Sequence, residues 1–463
     1  MNVSDLQGAR LYFPYAAIAP TTVEEIKCRL ADSVLALIGG ALVVPPEETA
    51  GLLEVIPEEK GARPAWPLLP TTSTENAGFL NGFHIRYADW GDTYNRRTGT
   101  GAGGHPSDLF AGILALCDSA EVDGKKLIEL IHLGYEMYSV LQEQMLNKRL
   151  DLDYTTSLGL IIPVLAAVLN GEGGDGIQNA LNLSASSAVI TEQVRPGDIT
   201  NLKSGATAYA TARGIWCYRF SHFLKAPGSM FVGKSGWYKN VAELTGEFAA
   251  PEDYFPYETV QIKCFPTFNP AQGPVECAIN MNELLNGRKE EIESIQLRVN
   301  AKHSKKLLKK RVQYPASMAE ADHHIKYVVA VALLTGSLSP LQYGEEYLNS
   351  EQIHRLIDAI DIVMMDPEEE KELSGGKAGS CKLIVRMRDG EQMQASVSTP
   401  TGVLTGFTPA ERVAELRRIV DMKRGMLEKT GGYDFAALMD LIDHIENHSG
   451  AELIDAIHSA VQK

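Results

Sequence analysis

Residues 155–190 read TTSLGLIIPVLAAVLNGEGGDGIQNALNLSASSAVI, two segments dominated by Ala, Leu, Ile and Val on either side of a glycine-rich break at Gly171–Gly176. A helix that is apolar nearly all round has no face to give to water, so both segments are expected in the middle of a helical bundle. The texture continues outward, and residues 108–190 look helical almost throughout. Leu127, Ile131, Tyr135, Tyr138, Leu141 and Met145 follow the i, i+4, i+8 course of a packed helix face. Residues 203–224 predict another helix, rich in small residues that permit close packing. Towards the N-terminus, residues 22–43 open on Thr22 with Glu24 and Glu25 in the first turn, a helix start signal, and Gly39-Gly40 ends or breaks that helix. Residues 44–74, rich in Pro and Thr, read as a long connection. A further helical pattern runs from Thr74 towards Asp89.

Near Pro251 the period changes. Val260, Ile262 and Cys264 alternate, as do Ile295, Leu297 and Val299, the signature of strands with one buried face. Leu383, Val385 and Met387 alternate before Asp389-Gly390, and Met393, Ala395 and Val397 after it, which predicts a hairpin with a two-residue turn. Helices at about 272–286 and 316–335 interrupt these strands, and helical patterns return at 408–428, 433–446 and 450–461. The expected order is therefore helices, a smaller α+β module, and helices again. If the terminal helices rejoin the first bundle, a cleft lies between the two parts, and such junctions are favoured ligand sites.

Composition narrows the class. The chain has 463 residues, 44% of them apolar and 22% charged, the balance of a soluble globular protein. A net charge of −16 argues against nucleic acid as a partner. One run departs from it, Lys302–Arg311 (KHSKKLLKKR), and reads as a solvated face. No window holds ~18 uninterrupted apolar residues, so no membrane span is expected. The start lacks a signal-peptide pattern. Six scattered cysteines without a CxxC pair support neither a disulfide framework nor a zinc or iron–sulfur site. These features together predict a cytoplasmic protein.

The densest collection of titratable groups beside flexible backbone is Asn81–Phe110, NGFHIRYADWGDTYNRRTGTGAGGHPSDLF. It holds His84, Arg86, Asp89, Asp92, Thr93 and His105. If the helix persists through Gly91, Asp89 and Thr93 share a face. His105 precedes a proline, which biases it to extended backbone, and an imidazole exchanges protons near neutral pH. The same spacing equally suits Asp89 and Asp92 as helix caps and His105 as a loop residue. Lys203, at the start of a small-residue helix, combines an ammonium with a helix N-terminus, both attractive to carboxylates, or is an exposed lysine. Lys263 lies in VQIKCFP on the face opposite Ile262 and Cys264, where surface exposure is expected. In EADHHIKY, Asp322 and Lys326 form one i,i+4 pair and His323 and Tyr327 another, which reads as a pocket wall or as a satisfied core histidine. The string GSMFVGKS at 228–235 fits a phosphate-loop pattern, but the residues before it are helical where that loop needs a strand.

Taken in order, these segments resemble the MmgE/PrpD family, and within it the dehydratase branch. HIRYADWGDT with GHPSDLFAGILALCD is similar to the segment carrying its active-site Asp and His. LDYTTSLG resembles the next helix, with Asp153 where a decarboxylase branch has His. NLKSGATAYATARG resembles the Lys-bearing helix at Lys203, PGSMFVGKSG a family loop, KCFPTFNPAQGPVECA the motif at Lys263, Pro266, Gln272, Val275 and Glu276, and DHHIKYVVAVALLTG the helix of Asp322, His323 and Tyr327. The chain departs from the pattern at Phe268-Asn269-Pro270, which replaces the family's Glu or His, and at Val232 in the loop.

The resemblance implies a mainly α fold with an α+β lid. A large all-helical domain would be formed by 1–258 and 405–463, and the smaller domain by 259–404. It also implies a homodimer, and catalysis with no cofactor and no metal. It implies a small di- or tricarboxylate substrate, with loss of water from a 2-hydroxy tricarboxylate such as 2-methylcitrate. His105, Asp89, Tyr327, Lys203 and His323 are the candidate catalytic residues. Thr93, Lys263, Asp92, Asp153 and Gln272 are the candidate substrate contacts, with the loop backbone at Gly101–Gly104 as a further anion donor. A decarboxylase of cis-aconitate type, a diacid epimerase, a non-catalytic metabolite binder and a metal hydrolase on Asp89, Asp92 and His105 are the competing readings.

Overall fold

The computed structural model describes residues 13–96, 103–120, 122–145, 147–148, 150–195, 199–243, 256–309, 312–375, 379–431 and 433–462. Gly101 and Ala102 of the expected anion-binding loop, Lys310 and Arg311 of the basic run, and the first twelve positions of the larger domain lie outside the described residues. In chain order, helices α1 (Pro20–Ala41), α2 (Pro46–Val55), α3 (Thr74–Tyr87), α4 (Phe110–Ser119), α5 (Gly124–Gln144), α6 (Thr156–Leu169), α7 (Gly174–Ala185) and α8 (Leu202–Phe220) come first. Then follow α9 (Gln272–Leu285), strand β5 (Ile292–Val299), α10 (Ile325–Thr335), α11 (Glu351–Ala359), β6 (Ile360–Met364), β7 (Cys381–Met387) and β8 (Gln392–Val397). Helices α12 (Pro409–Gly431), α13 (Ala436–Asp443) and α14 (Gly450–Val461) close the chain. Two-residue strands β1 (Thr93–Tyr94) and β4 (Val260–Gln261) pair antiparallel, as do β2 (Asn147–Lys148) and β3 (Ala242–Glu243).

Two compact units result. The larger comprises Met1–Tyr87, Gly91–Ile262 and Leu404–Lys463, and the smaller Ala88–Trp90 and Lys263–Val403. In the larger unit α3 packs against α8, α4 and α1, and α12 against α1. Small residues set the closest approach, since a Cβ on Gly82 of α3 would come within 2.9 Å of the Ala208 Cα on α8. Buried ion pairs fix α12 on α1: Glu25 accepts from Arg29 at 2.9 Å and from Arg412 at 3.0 Å, and Lys423 meets Asp32. A buried charge without its partner is costly, so these pairs specify which helices meet.

Of the two apolar segments that predicted a bundle core, only α6 is buried nearly all round. Helix α7 buries one face, because Asp175, Gln178 and Asn179 give it a polar one. The long connection expected over 44–74 contains α2, whose Pro46 occupies the first helical turn, where a missing N–H costs nothing. No single helix among the described residues is long and apolar enough to cross a membrane.

The smaller unit is a four-stranded sheet in the order β6-β5-β7-β8, with β5 and β6 parallel and the other pairs antiparallel. Cys381, Leu383, Val385 and Met387 of β7 face the core, as their alternation predicts, and Gly390 turns the hairpin at φ +89°. Helix α9 packs on β7, β8 and α10. Strand β6 escapes the sequence pattern. The expected strand at Val260–Cys264 shortens to two residues, since Ile262, Lys263 and Cys264 are all buried and the chain is irregular after Ile262.

Candidate functional site

The candidate polar side chains among the described residues gather in a cluster within each unit. In the smaller unit the cluster starts at Asp89. Helix α3 stops at Tyr87, and Asp89 adopts φ +47°, a left-handed backbone that non-glycine residues rarely take and that needs support from its surroundings. Lys263 supplies it. Its ammonium donates to the Asp89 carbonyl at 3.0 Å and to the Asp89 carboxylate, and both side chains are 1% exposed. The expected helical face shared by Asp89 and Thr93 therefore does not form, and Lys263 is buried rather than on the surface. Trp90 anchors the same turn, its indole N–H donating to the Cys264 carbonyl at 2.9 Å.

The irregular stretch after Lys263 has backbone groups that no ladder satisfies, and Gln272 satisfies them. Its Oε1 accepts from the Cys264 and Phe265 N–H groups at 3.0 and 3.1 Å, and its Nε2 donates to the Phe265 and Thr267 carbonyls at 2.9 and 3.3 Å. The amide is spent on backbone, which makes Gln272 a staple for the Lys263 segment rather than a substrate contact.

The expected helix over 316–335 breaks at Asp322–His324. A short helix, Met318–Ala321, ends there, and His324 caps α10 by accepting from the Tyr327 N–H at 3.1 Å. Hence Asp322 with Lys326, and His323 with Tyr327, do not share a continuous helical face. His323 instead approaches Asp89, its Nε2 3.7 Å from Oδ2, while its Nδ1 lies 2.5 Å from Asp322 Oδ1. Phe268 stacks on the His323 ring, with centroids 5.3 Å apart and planes at 16°. Tyr327 is not part of this arrangement. It is fully buried, its hydroxyl donates to the Gln342 carbonyl at 2.7 Å, and burial pushes its pKa up, so the proton stays on. Ligand atoms of Asp89, Asp322 and His323 lie within 4.8 Å of one another, a spacing that suits a cation. The Lys263 ammonium already supplies positive charge at Asp89, and we assign no metal there.

In the larger unit, β1 pairs Thr93 with Gln261 of β4, and Asp92 precedes it. The Asp92 carboxylate accepts from the Tyr135 hydroxyl at 2.7 Å and the Ser107 N–H at 2.8 Å, with Arg29 at 3.6 Å. Burial and the Asp92 charge hold the Tyr135 pKa well up, so it remains the donor. Asp92 is thus an internal brace. Its carbonyl lies 2.5 Å from His105 Nδ1, so that nitrogen carries the proton in the neutral ring and Nε2 is the one able to accept. His105 is 8% exposed and meets the Tyr154 ring edge-on at 5.1 Å. Gly104, at φ +88°, lets the chain pass against Tyr154 where a side chain would collide.

Tyr154 leads to two arginines, Arg86 of the Asn81–Phe110 cluster and Arg195, which no sequence pattern picked out. Arg86 Nε donates to the Tyr154 hydroxyl at 2.8 Å, and the Arg195 guanidinium lies 4.5 Å from the Tyr154 ring centre. Asp153 holds Arg195 through Nε at 2.5 Å and accepts from Thr155. Burial opposes its charge, but Arg195 and the Thr155 hydrogen bonds outweigh it and keep the Asp153 carboxyl below its usual range. Asp153 therefore orients an arginine instead of reaching a ligand itself. The sequence showed Arg86 only as one charged residue within the Asn81–Phe110 cluster, and the structure buries it with the last eight residues of its helix. Asp108 accepts from the Thr207 hydroxyl at 2.9 Å, and burial raises its pKa to about 6. Lys203 is 2% exposed in the first turn of α8. The Thr93 hydroxyl is buried with no hydrogen-bond partner among the described residues. His84 is kept neutral by burial, with its pKa lowered to about 4.

A protein with a carboxylate–ammonium–imidazole cluster in one unit, and a histidine and two arginines around one tyrosine in the other, carries groups for acid–base chemistry on anions. Residues 11–246 match the MmgE/PrpD N-terminal domain and residues 265–417 the MmgE/PrpD C-terminal domain, so the chain belongs to the MmgE/PrpD family. It is 26% identical over 314 residues to a 2-methylcitrate dehydratase of Salmonella typhimurium, covering 63% of this chain and 62% of that one. It is 26% identical over 310 residues to a 2-methylcitrate dehydratase of Escherichia coli, covering 62% of each. It is 23% identical over 420 residues to an alkylcitrate dehydratase from a fungus, covering 82% of this chain and 80% of that one. The chain thus spans a little under two thirds of the bacterial relatives' length.

Proposed function

We propose that this protein is a dehydratase of a 2-hydroxy tricarboxylate such as 2-methylcitrate, working without a cofactor as a homodimer in the cytoplasm. The observation that carries this reading is the Asp89–Lys263–His323 cluster: a buried carboxylate held by an ammonium on one side and faced by an imidazole nitrogen at 3.7 Å on the other. The dehydratase activities for which the relatives are named support the choice of reaction.

Elimination needs a base for a C–H beside a carboxylate and an acid for the departing hydroxyl. The C–H electron pair becomes the new π bond, the C–O pair leaves with oxygen, and that oxygen takes a proton to become water. In the smaller unit, proton transfer is assigned to His323 with Asp89 beside it. In the larger unit, His105 is assigned to proton exchange, Lys203, Arg86 and Arg195 to carboxylate binding, and Thr93 to a hydrogen bond with a ligand. Lys263 holds Asp89 in place.

The test is incubation with 2-methylcitrate, citrate and cis-aconitate, followed by NMR in deuterated water. The reading expects loss of water from a 2-hydroxy tricarboxylate. Carbon dioxide release would replace it with decarboxylation, and deuterium uptake without net conversion with epimerisation. His105→Ala is expected to lower kcat by roughly 10²–10⁴, and unchanged turnover would remove His105 from the mechanism.

A further inference from the structure

We propose that Asp322 is a positioning residue. It fixes His323 in the Nδ1–H tautomer and so keeps Nε2, the nitrogen facing Asp89, as the atom that accepts a proton. This rests on the proton-transfer role given to His323 above. Neighbouring residues on a continuous helix point apart and do not bond to each other. The break between Ala321 and Ile325 removes that restriction, and Asp322 Oδ1 lies 2.5 Å from the Nδ1 of the very next residue. An ionised carboxylate can only accept, so Nδ1 must be the donor.

The rest of the surroundings serve the same contact. Asp322 is fully buried, while the His323 side chain keeps 19% exposure, enough for a ligand to reach it. The Asp322 carbonyl accepts from the Thr267 hydroxyl at 2.6 Å and the Phe268 N–H at 3.2 Å. Phe268 then lays its ring on the imidazole. One segment thus grips the backbone of Asp322 and covers the ring that Asp322 orients. Residue 268 acts as a stacking partner with no proton of its own, which leaves the proton work in this unit to His323. Among the described residues, charged groups facing the imidazole include Asp322 on Nδ1 and Asp89 on Nε2, and Asp89 in turn carries the Lys263 ammonium. Hydrogen-bonded carboxylates of this kind set which imidazole nitrogen bears the proton.

Nitrogen NMR of the ¹⁵N-histidine-labelled full chain reads the tautomer directly, without substrate. The His323 signal is assigned by its loss in His323→Gln. The expected wild-type form is Nδ1–H. Asp322→Asn keeps the shape but presents an amide that can donate, so Nε2–H is expected to take over. In turnover the same variant is expected to lose roughly 10²–10⁴ in kcat with KM within about threefold. A wild-type chain with His323 as Nε2–H overturns the inference whether or not the variant folds, and so does an Asp322→Asn chain that keeps the wild-type tautomer. Because the tautomer is read on the free protein, failure of all tricarboxylates to react would count against the dehydratase reading alone.

Discussion

The two polar clusters use the same residue types and meet the cost of burial in different ways. In the smaller unit the Asp89 carboxylate is balanced by a full opposite charge, the Lys263 ammonium, at the same depth. In the larger unit Asp92 relies chiefly on a phenol and a backbone N–H, with Arg29 at 3.6 Å, and Asp108 has a threonine hydroxyl as its hydrogen-bonded side-chain partner. Burial raises Asp108 to about 6 against the lowering pull of the Arg86 and Arg195 charges, close enough to neutral pH to exchange a proton. The lesson is that an opposite charge at the same depth holds the Asp89 turn, while burial sets where Asp108 titrates; a contact cation does not by itself abolish such a shift, since Asp32, which meets Lys423, is also raised to about 6.

The sharpest way to break that contrast is Lys263→Met. If Asp89 depends on its ammonium, the variant leaves an uncompensated buried charge and a left-handed backbone without its support. It should lose about 3–5 kcal/mol of stability in urea denaturation. Adding Asp89→Asn should restore much of the loss, since an amide needs no counter-charge. A single variant with wild-type stability would show that the pair is not what holds this turn.

The larger unit is tested by pH. The Asp108 carboxyl is raised from 3.8 to about 6, so between those values the folded state binds more protons than the unfolded state. Stability should therefore fall as pH rises through that window. The full effect, at most about 3 kcal/mol, should be present above pH 6. Asp108→Asn cannot ionise and should flatten that part of the curve. Thermal melts from pH 4 to 8 on both chains measure it, and an unchanged slope would reassign the titration to another group.

How far the sequence could show these clusters follows from the same physics. The helical segments and the β7–β8 hairpin were legible because burial imposes a period, and Gly450–Val461 matches its expected bounds. Asp89, His105 and His323 were legible as polar residues beside glycine or at the edge of an apolar run. Their partners were not. Lys263 reads as exposed in a strand because alternation cannot reveal that both faces are covered. Gln272 stands as a substrate contact only through the family resemblance, and its type does not disclose that four backbone groups will consume it. The break at Asp322–His324 is set by a side-chain cap, which propensity alone does not announce. Arg195 enters through Asp153, 42 positions earlier in the chain, a contact that no local pattern contains.

The smallest expected effect separates a ligand contact from a packing residue. Thr93 has a buried hydroxyl with no partner among the described residues, next to the braced Asp92. A buried hydroxyl left unbonded costs stability, so Thr93→Val, of nearly the same shape, should be neutral or slightly stabilising in the free protein. If that hydroxyl waits for substrate, the same variant should raise KM by roughly 2–13-fold, the equivalent of one hydrogen bond of about 0.5–1.5 kcal/mol. Stability and affinity then move in opposite directions, which packing alone does not produce. A Thr93→Val chain with unchanged KM would make Thr93 a structural residue and leave substrate recognition in the larger unit to Lys203 and the two arginines.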